Sequence, residues 1–156
     1  MLDIRAMNPK HLAEEGVKMT ILHPVNGTPF LADESKKPKK GEEPDYAYIK
    51  VRGSFSETAQ RKSFAKINEL LKKRTQAKTK SGKPVDVEEA PTIEETIDSI
   101  CQELAENTIE MHGVGDAATG WVPKTQQDFF AIYKELTWLR DQAKAFCDDI
   151  GNFIKS

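Results

Sequence analysis

The 156-residue sequence predicts an α+β fold, in which a small N-terminal antiparallel β unit is followed by a mainly α-helical C-terminal part. Residues 45–52 alternate between apolar and polar side chains, which is the period of a half-buried strand. After Gly53 the apolar residues recur every three or four positions instead, as in an amphipathic helix. We therefore assign residues 1–53 to a β-rich N-terminal subdomain and residues 54–156 to a helical subdomain.

A hairpin is predicted at the start of the β unit. Val17–His23 is rich in strand-forming residues, and Asn26-Gly27 supplies the backbone freedom of a tight turn before the returning strand Phe30–Ala32. Residues 36–44, rich in lysine and proline, follow as an exposed loop. In the alternating strand behind this loop, Ala47, Ile49 and Val51 share the face that is expected to lie in the core.

The first helix is predicted to begin at a capping box formed by Ser54 and Glu57. It is expected to place Phe64 in the core and to fade near Arg74. The stretch at about 76–90 has almost no large apolar residues and contains glycine and proline, so we interpret it as a polar linker.

A second helix is predicted from a capping box at Thr92 and Glu95 to a stop at His112-Gly113. Its apolar residues lie on one face: Ile93, Ile97, Ile100, Leu104, Thr108 and Met111. Helical periodicity resumes near Thr125 and continues to Phe153, and the pattern leaves open whether one helix or two helices with a break near Thr137 form there.

The sequence contains no apolar run near the roughly 20 residues that cross a bilayer. Met1–Gly16 lacks the apolar segment of a secretory signal, so we expect a cytoplasmic protein without a membrane partner. Cys101 and Cys147 are far apart and form no C-x-x-C pair, which favours reduced, partly buried thiols over a disulfide.

The residue types that carry catalysis form no site in the sequence. The three histidines have no zinc-ligand spacing, and Gly82-Lys83 is followed by proline where a phosphate-binding loop needs serine or threonine. Gly113–Ala118 matches the letters of a dinucleotide fingerprint, but a helix is predicted before it instead of a strand. We therefore predict a protein that is not an enzyme and that has no cofactor and no metal.

Charge is strongly segregated, although 23 basic and 25 acidic residues leave a net charge of only −2. Arg61–Lys83 contains nine basic residues and one acid, a net +8, whereas Asp86–Glu110 contains nine acids and no base, a net −9. The blocks could face each other within one molecule, meet between molecules as self-association, or leave the basic block for nucleic acid. Nucleic acid is the least favoured, because aromatic residues other than Phe64 do not interleave with the bases.

Several short motifs occur in a characteristic order along the chain. They are Leu22-His23-Pro24, a strand Ile49–Gly53 that ends in glycine, Gly120-Trp121, the element Leu136-Thr137-Trp138-Leu139-Arg140, and a closing Asn152-Phe153. In this order they resemble the tail assembly chaperones of long-tailed bacteriophages. The chain departs from that pattern at Ser54-Phe55-Ser56, where the family often has Asp-Ser, and in its longer lysine-rich loop.

This resemblance implies a non-catalytic assembly factor of the host cytoplasm that is absent from the finished particle. Such chaperones coat the tape-measure protein before the tail-tube protein polymerises around it, and self-association is expected as well. The candidate partner-binding residues are aromatic, because aromatic side chains bury the most area at interfaces. They are Trp121, Phe129, Phe130, Trp138 and Phe153. Aromatics at helical spacing are more often core residues, so Trp121, which is expected in a loop, is the strongest candidate.

Two alternative functions remain open at this point. The chain could be a structural tail or head–tail joining protein that stays in the virion. Less favoured is a small regulatory nucleic-acid-binding protein that uses Lys36–Lys40 and Arg61–Lys83.

Overall fold

A three-stranded antiparallel sheet packs against helices in the computed structural model, which describes residues 1–81 and 92–154, the side chains of 74–81 excepted. The predicted α+β class is confirmed. In chain order the elements are α1 (Lys10–Glu15), β1 (Val17–Thr20), β2 (Tyr48–Val51), α2 (Glu57–Ser81), α3 (Ile93–Asn107), β3 (Thr108–His112), α4 (Gln126–Glu135), α5 (Thr137–Asp148) and a 3₁₀ turn (Ile150–Phe153). None of these helices has both the length and the apolar character that a membrane crossing requires.

The sheet has the order β1-β2-β3, with β2 in the centre. Met19, Ile49 and Met111 lie side by side on its inner face and are buried against the helices. The predicted inner face of the alternating strand is confirmed, since Ala47, Ile49 and Val51 are all at most 2% exposed. Beyond β1, Leu22 pairs with Pro29 and Leu31 pairs with Tyr46, so the predicted returning strand is present only as single bridges.

The third strand corrects the prediction of a helix that continues to His112. Helix α3 ends at Asn107, and β3 pairs with β2 from Thr108 onwards. The hydroxyl of Thr108 hydrogen-bonds the carbonyl of Leu104 at 2.7 Å and the hydroxyl of Tyr133 at 2.7 Å. A β-branched pair, Thr108-Ile109, then favours extended backbone. The strands are therefore not all N-terminal, and the sheet joins residues from both sides of position 53.

The first long helix differs from the prediction in its start, its end and its exposed face. Ser56, not Ser54, caps α2: its Oγ accepts a hydrogen bond from the N–H of Ala59 at 3.0 Å. The helix continues to Ser81, beyond the predicted end at Arg74. Phe64 is 62% exposed and does not lie in the core. Residues 82–90 of the predicted linker lie outside the described residues.

The C-terminal helices are two, which settles the open question near Thr137. Leu136 separates α4 from α5 with a non-helical backbone. The start of α4 is fixed by a capping box between Thr125 and Asp128, in which each side chain accepts a hydrogen bond from the other's backbone N–H. Helix α4 packs mainly on α3, and the two helices cover the inner face of the sheet.

The end of the chain closes the fold against the end of β2. A Cβ added at Gly53 would lie 3.0 Å from the ring of fully buried Phe153. Only glycine therefore allows Phe153 to approach the backbone at this position. Two of the motifs noted in the sequence, the strand that ends in glycine and the closing Asn-Phe, thus meet in space. Cys101 and Cys147 are both free and buried, as expected for reduced thiols.

Candidate functional site

An apolar groove of about 480 Å³ opens beside the start of α5. Three segments that are far apart in the sequence form its walls: residues 30–35 after the N-terminal turn, residues 113–117 after β3, and Leu136–Leu139 around the break between α4 and α5. Its floor is formed by Ile21 and Ala47 next to the sheet. Its volume lies within the range of about 300–1,000 Å³ that is common for ligand pockets.

Aromatic rings line one side of this groove. The ring of Phe30 lies 6.0 Å from that of Trp138 and 5.5 Å from that of His23, measured between centroids. Phe30 and Trp138 are half-buried, so each keeps an accessible edge. Two half-exposed rings next to each other form the kind of apolar anchor surface that dominates protein interfaces.

Hydrogen bonds to the backbone hold the walls of the groove in place. The side-chain amide of Gln142 in α5 donates a hydrogen bond to the carbonyl of Leu22 at 2.7 Å, and its carbonyl accepts one from the Leu22 N–H at 3.2 Å. On the opposite wall the N–H of Asp116 donates to the carbonyl of Trp121 at 2.9 Å. A Cβ at Gly115 would collide with that same carbonyl, so glycine is required there.

One of the motifs that carry the resemblance lines the groove, and two others lie behind its walls. Leu136, Trp138 and Leu139 line it directly. Gly120-Trp121 closes the loop behind one wall, and Leu22 is tied to α5 behind the other. The other lining residues, which include Phe30 and Val114, lie outside these motifs.

The polar end of the groove is acidic. Asp33 and Glu34 lie there beside Ser35. The hydroxyl and the backbone N–H of Ser35 both donate to the carboxylate of Asp33, at 2.6 and 3.0 Å, and these bonds hold the pKa of Asp33 below its usual range. Asp33 is therefore ionised at neutral pH, and the groove offers apolar walls with negative charge at one end.

The five aromatic residues nominated from the sequence do not form one site. Trp138 lines the groove. Trp121 is 45% exposed in the predicted loop and does not line the groove; its backbone carbonyl closes the loop behind one wall. Phe130 is half-buried and lines a separate depression of about 390 Å³ with Gln102, Gln126 and Gln127.

The nomination of Phe129 and Phe153 is corrected by their burial. Phe129 is 5% exposed and belongs to the main core between the helices and the sheet. Phe153 is fully buried against Gly53 and packs edge-on against Phe146, with ring centroids 5.8 Å apart. Neither side chain can reach a partner unless the fold opens, so both are core residues.

Sequence reasoning missed Phe30 and Val114 as groove residues. Phe30 was treated as part of a returning strand, and Val114 as part of a glycine-containing loop. No periodicity could identify them, because the groove exists only where three distant segments meet. The one available signal was Leu136-Thr137-Trp138-Leu139, whose apolar residues surround a helix break.

The glycine-containing segment after β3 does follow a strand, contrary to the predicted helix. It does not open a helix, however: Gly120 N–H donates back to the carbonyl of Asp116 at 2.8 Å and closes a tight loop. A dinucleotide fingerprint needs a helix N-terminus at this point. Gly113–Ala118 therefore lacks the geometry that binds a pyrophosphate.

In the part of the chain that the structure describes, no group of three or more His, Cys, Asp or Glu side chains is arranged to hold a metal ion. Burial raises the pKa of Cys147 to about 12, so this thiol stays protonated at neutral pH. No protein-family model, curated protein or solved structure matches the chain.

Proposed function

We propose that the chain is a non-catalytic tail assembly chaperone of a long-tailed bacteriophage, which binds the tape-measure protein in the groove beside Trp138. In this proposal it acts in the host cytoplasm, keeps the tape-measure protein soluble until the tail-tube protein polymerises, and is absent from the finished particle. The observation that carries the proposal is that the chaperone-like Leu136–Leu139 motif lines an apolar groove, while Leu22 and Trp121 of two further motifs brace the segments behind its walls.

The groove fits an apolar stretch of a helical chain. Its walls offer two half-exposed aromatic rings and several aliphatic side chains, and its acidic end suits a basic residue next to the apolar ones. Amphipathic helices bind grooves of this kind through apolar anchors one turn apart. We therefore expect the bound segment of the tape-measure protein to carry two neighbouring large apolar residues followed by lysine or arginine.

Binding in such a groove is reversible. It engages only a few side chains. The affinity depends on how many of them become fully desolvated and not on the buried area alone. An assembly factor must leave before the tube closes. Many copies of it bind at once, and each copy must be able to release its own contact. The exposed edges of the Phe30 and Trp138 rings provide contacts of this limited, releasable kind.

The test is co-expression with the tape-measure protein and a pull-down of the complex. Trp138→Ala removes the ring from the groove and should reduce the recovered tape-measure protein strongly. Phe130→Ala is the matched control, since it removes another half-buried aromatic residue outside the groove and should leave recovery near the wild-type level. Melting temperatures of both variants separate lost binding from lost folding.

A second variant keeps the test decisive if Trp138→Ala unfolds the protein. Ala117 is exposed and lines the groove, so Ala117→Glu places bulk and negative charge there without removing a core contact. Unchanged recovery with folded Ala117→Glu and Trp138→Ala would contradict groove binding. Detection of the protein at a fixed copy number in purified virions would contradict the chaperone role and support the structural alternative.

A further inference from the structure

Helix α2 presents an apolar surface that nothing in the described chain covers. Phe64, Ile67 and Leu70, here named the α2 stripe, are 62%, 50% and 55% exposed. They lie three residues apart, so each is turned by about 60° from the one before and together they form a winding line along the helix over about two turns. Large apolar side chains that share one exposed face mark an interaction surface more often than scattered ones do.

In the part of the chain that the structure describes, the hydrogen bonds that tie α2 to other elements lie at its beginning. The backbone N–H of Thr58 donates to the carboxylate of Glu14 at 3.1 Å, and the Thr58 hydroxyl donates to the same carboxylate. Ser56, which caps the helix, is fully buried. The whole helix is about 38 Å long, and every residue from Arg61 to Lys73 is exposed.

The helix also carries positive charge next to the stripe. Between Arg61 and Lys73 there are five bases and one acid. Lys62 faces α3 and pairs with Glu106 at 3.7 Å, and Lys66 lies beside it at a cleft of about 120 Å³ between the two helices. Both lysines are two positions from Phe64, which places them about 160° around the helix from its ring. Phe64 and Ile67 therefore point away from the α3 of their own chain, whereas Leu70, four positions after Lys66, lies nearer to the α3 side.

A complementary surface exists at the start of α3. Ile93 is 81% exposed, and its neighbours Glu94 and Glu95 are exposed as well. Helix α3 contains five acids and no lysine or arginine. The two surfaces match in kind, since the α2 stripe and Ile93 are both exposed apolar surface next to charge, and the charges are opposite in sign.

We propose that the α2 stripe of one copy of this chain docks on the start of α3 of a second copy. Charge selects this arrangement. Packing α2 against α2 of the second copy would bring two basic helices together, whereas packing it against α3 pairs bases with acids. The proposal concerns a surface apart from the Trp138 groove and does not depend on what that groove binds.

The apolar part of the contact is tested by light scattering of the full chain over a range of protein concentrations. The wild-type protein should exceed the mass of one chain at low salt. Phe64→Ser with Ile67→Ser should return it to the mass of one chain with little change in melting temperature. Val25→Ser is the matched control, because Val25 is 85% exposed in the N-terminal turn, and it should not alter the mass.

The pairing of α2 with α3 is tested by exchanging charges. Arg61→Glu with Lys72→Glu should weaken association at low salt by about tenfold or more, and so should Glu94→Lys with Glu95→Lys. Mixing the two charge-reversed proteins should restore association, since the attractive pairing is then rebuilt between different chains. Thermal melts of each variant show that the fold is kept.

Three results would overturn the proposal. One is a wild-type protein with the mass of one chain at every concentration and salt. Another is a stripe variant that associates like the wild type. A stripe variant with a lower melting temperature, together with a wild type that stays a single chain, would likewise show that the stripe lies inside the folded molecule. The third is association that depends on the stripe but is unchanged in the Glu94 and Glu95 variants, which would indicate α2 against α2.

Discussion

Helices α2 and α3 have the same kind of sequence pattern, but their apolar faces differ in exposure. Both begin with a hydroxyl cap and carry aliphatic residues every three or four positions. In α3 the stripe is covered beyond the exposed Ile93, with Cys101 and Leu104 at most 2% exposed under α4. In α2 the corresponding stripe is at least half exposed. Periodicity thus indicates which face of a helix favours burial, but it does not indicate whether the covering surface belongs to the same chain.

The largest expected difference between the two helices is in the cost of shortening a leucine. Leu104→Ala should destabilise the fold by about 2–5 kcal/mol, because it opens a cavity in the core. Leu70→Ala should change the free energy of unfolding by less than about 1 kcal/mol at a protein concentration where the chain is single. Urea denaturation of both variants measures this contrast. Equal losses would show that α2 packs within its own molecule.

A smaller effect is expected where the end of the chain closes on the sheet. Gly53→Ala should destabilise by about 1–3 kcal/mol, because the added methyl would lie 3.0 Å from the ring of Phe153. In a background with Phe153→Leu the same substitution should cost clearly less, since the aromatic ring is gone. Additive losses in this double-mutant cycle would mean that the two positions do not act on each other.

The smallest effect concerns the anchor of α2 and depends on pH. Hydrogen bonds from Thr58 lower the pKa of Glu14 below its ordinary value of 4.5. This contribution to stability is complete above that value and is lost as the pH falls through the lowered pKa of the folded state. Thr58→Val keeps the backbone bond but removes the hydroxyl, so its unfolding midpoint in urea should fall less steeply than that of the wild type below about pH 4.5. Parallel curves would exclude this role for Thr58.

The sequence predicted the fold class and the starts of β1, α3 and α4, because these depend on local patterns. The inner face of β2, the cap at Thr92, the start of α4 near Thr125 and the turn at Asn26-Gly27 all follow from neighbouring residues. The end of α3 could not be predicted in the same way. Thr108 and Met111 continue the helical spacing, and only pairing with β2 turns them into a strand.

The candidate site was predictable only in part, since it is formed by tertiary contacts. Trp138 was nominated as an aromatic residue within a motif, and the structure places it in the groove. Phe129 and Phe153 were nominated on the same grounds and are core residues. The local sequence does not distinguish the groove residue from the two core residues. Helix α5 starts at the groove, and the residues that cover or expose each ring come from other segments.

In a single chain the α2 stripe is uncovered, and the proposed second copy covers it. Hydrogen exchange at low and high protein concentration distinguishes these two states, because exchange reports local protection along the backbone. Amides of α2 beyond its first turns should become more protected as concentration rises, while those of α3 around Leu104 stay protected throughout. Protection of α2 that is equally strong at every concentration would show that no second copy covers the stripe.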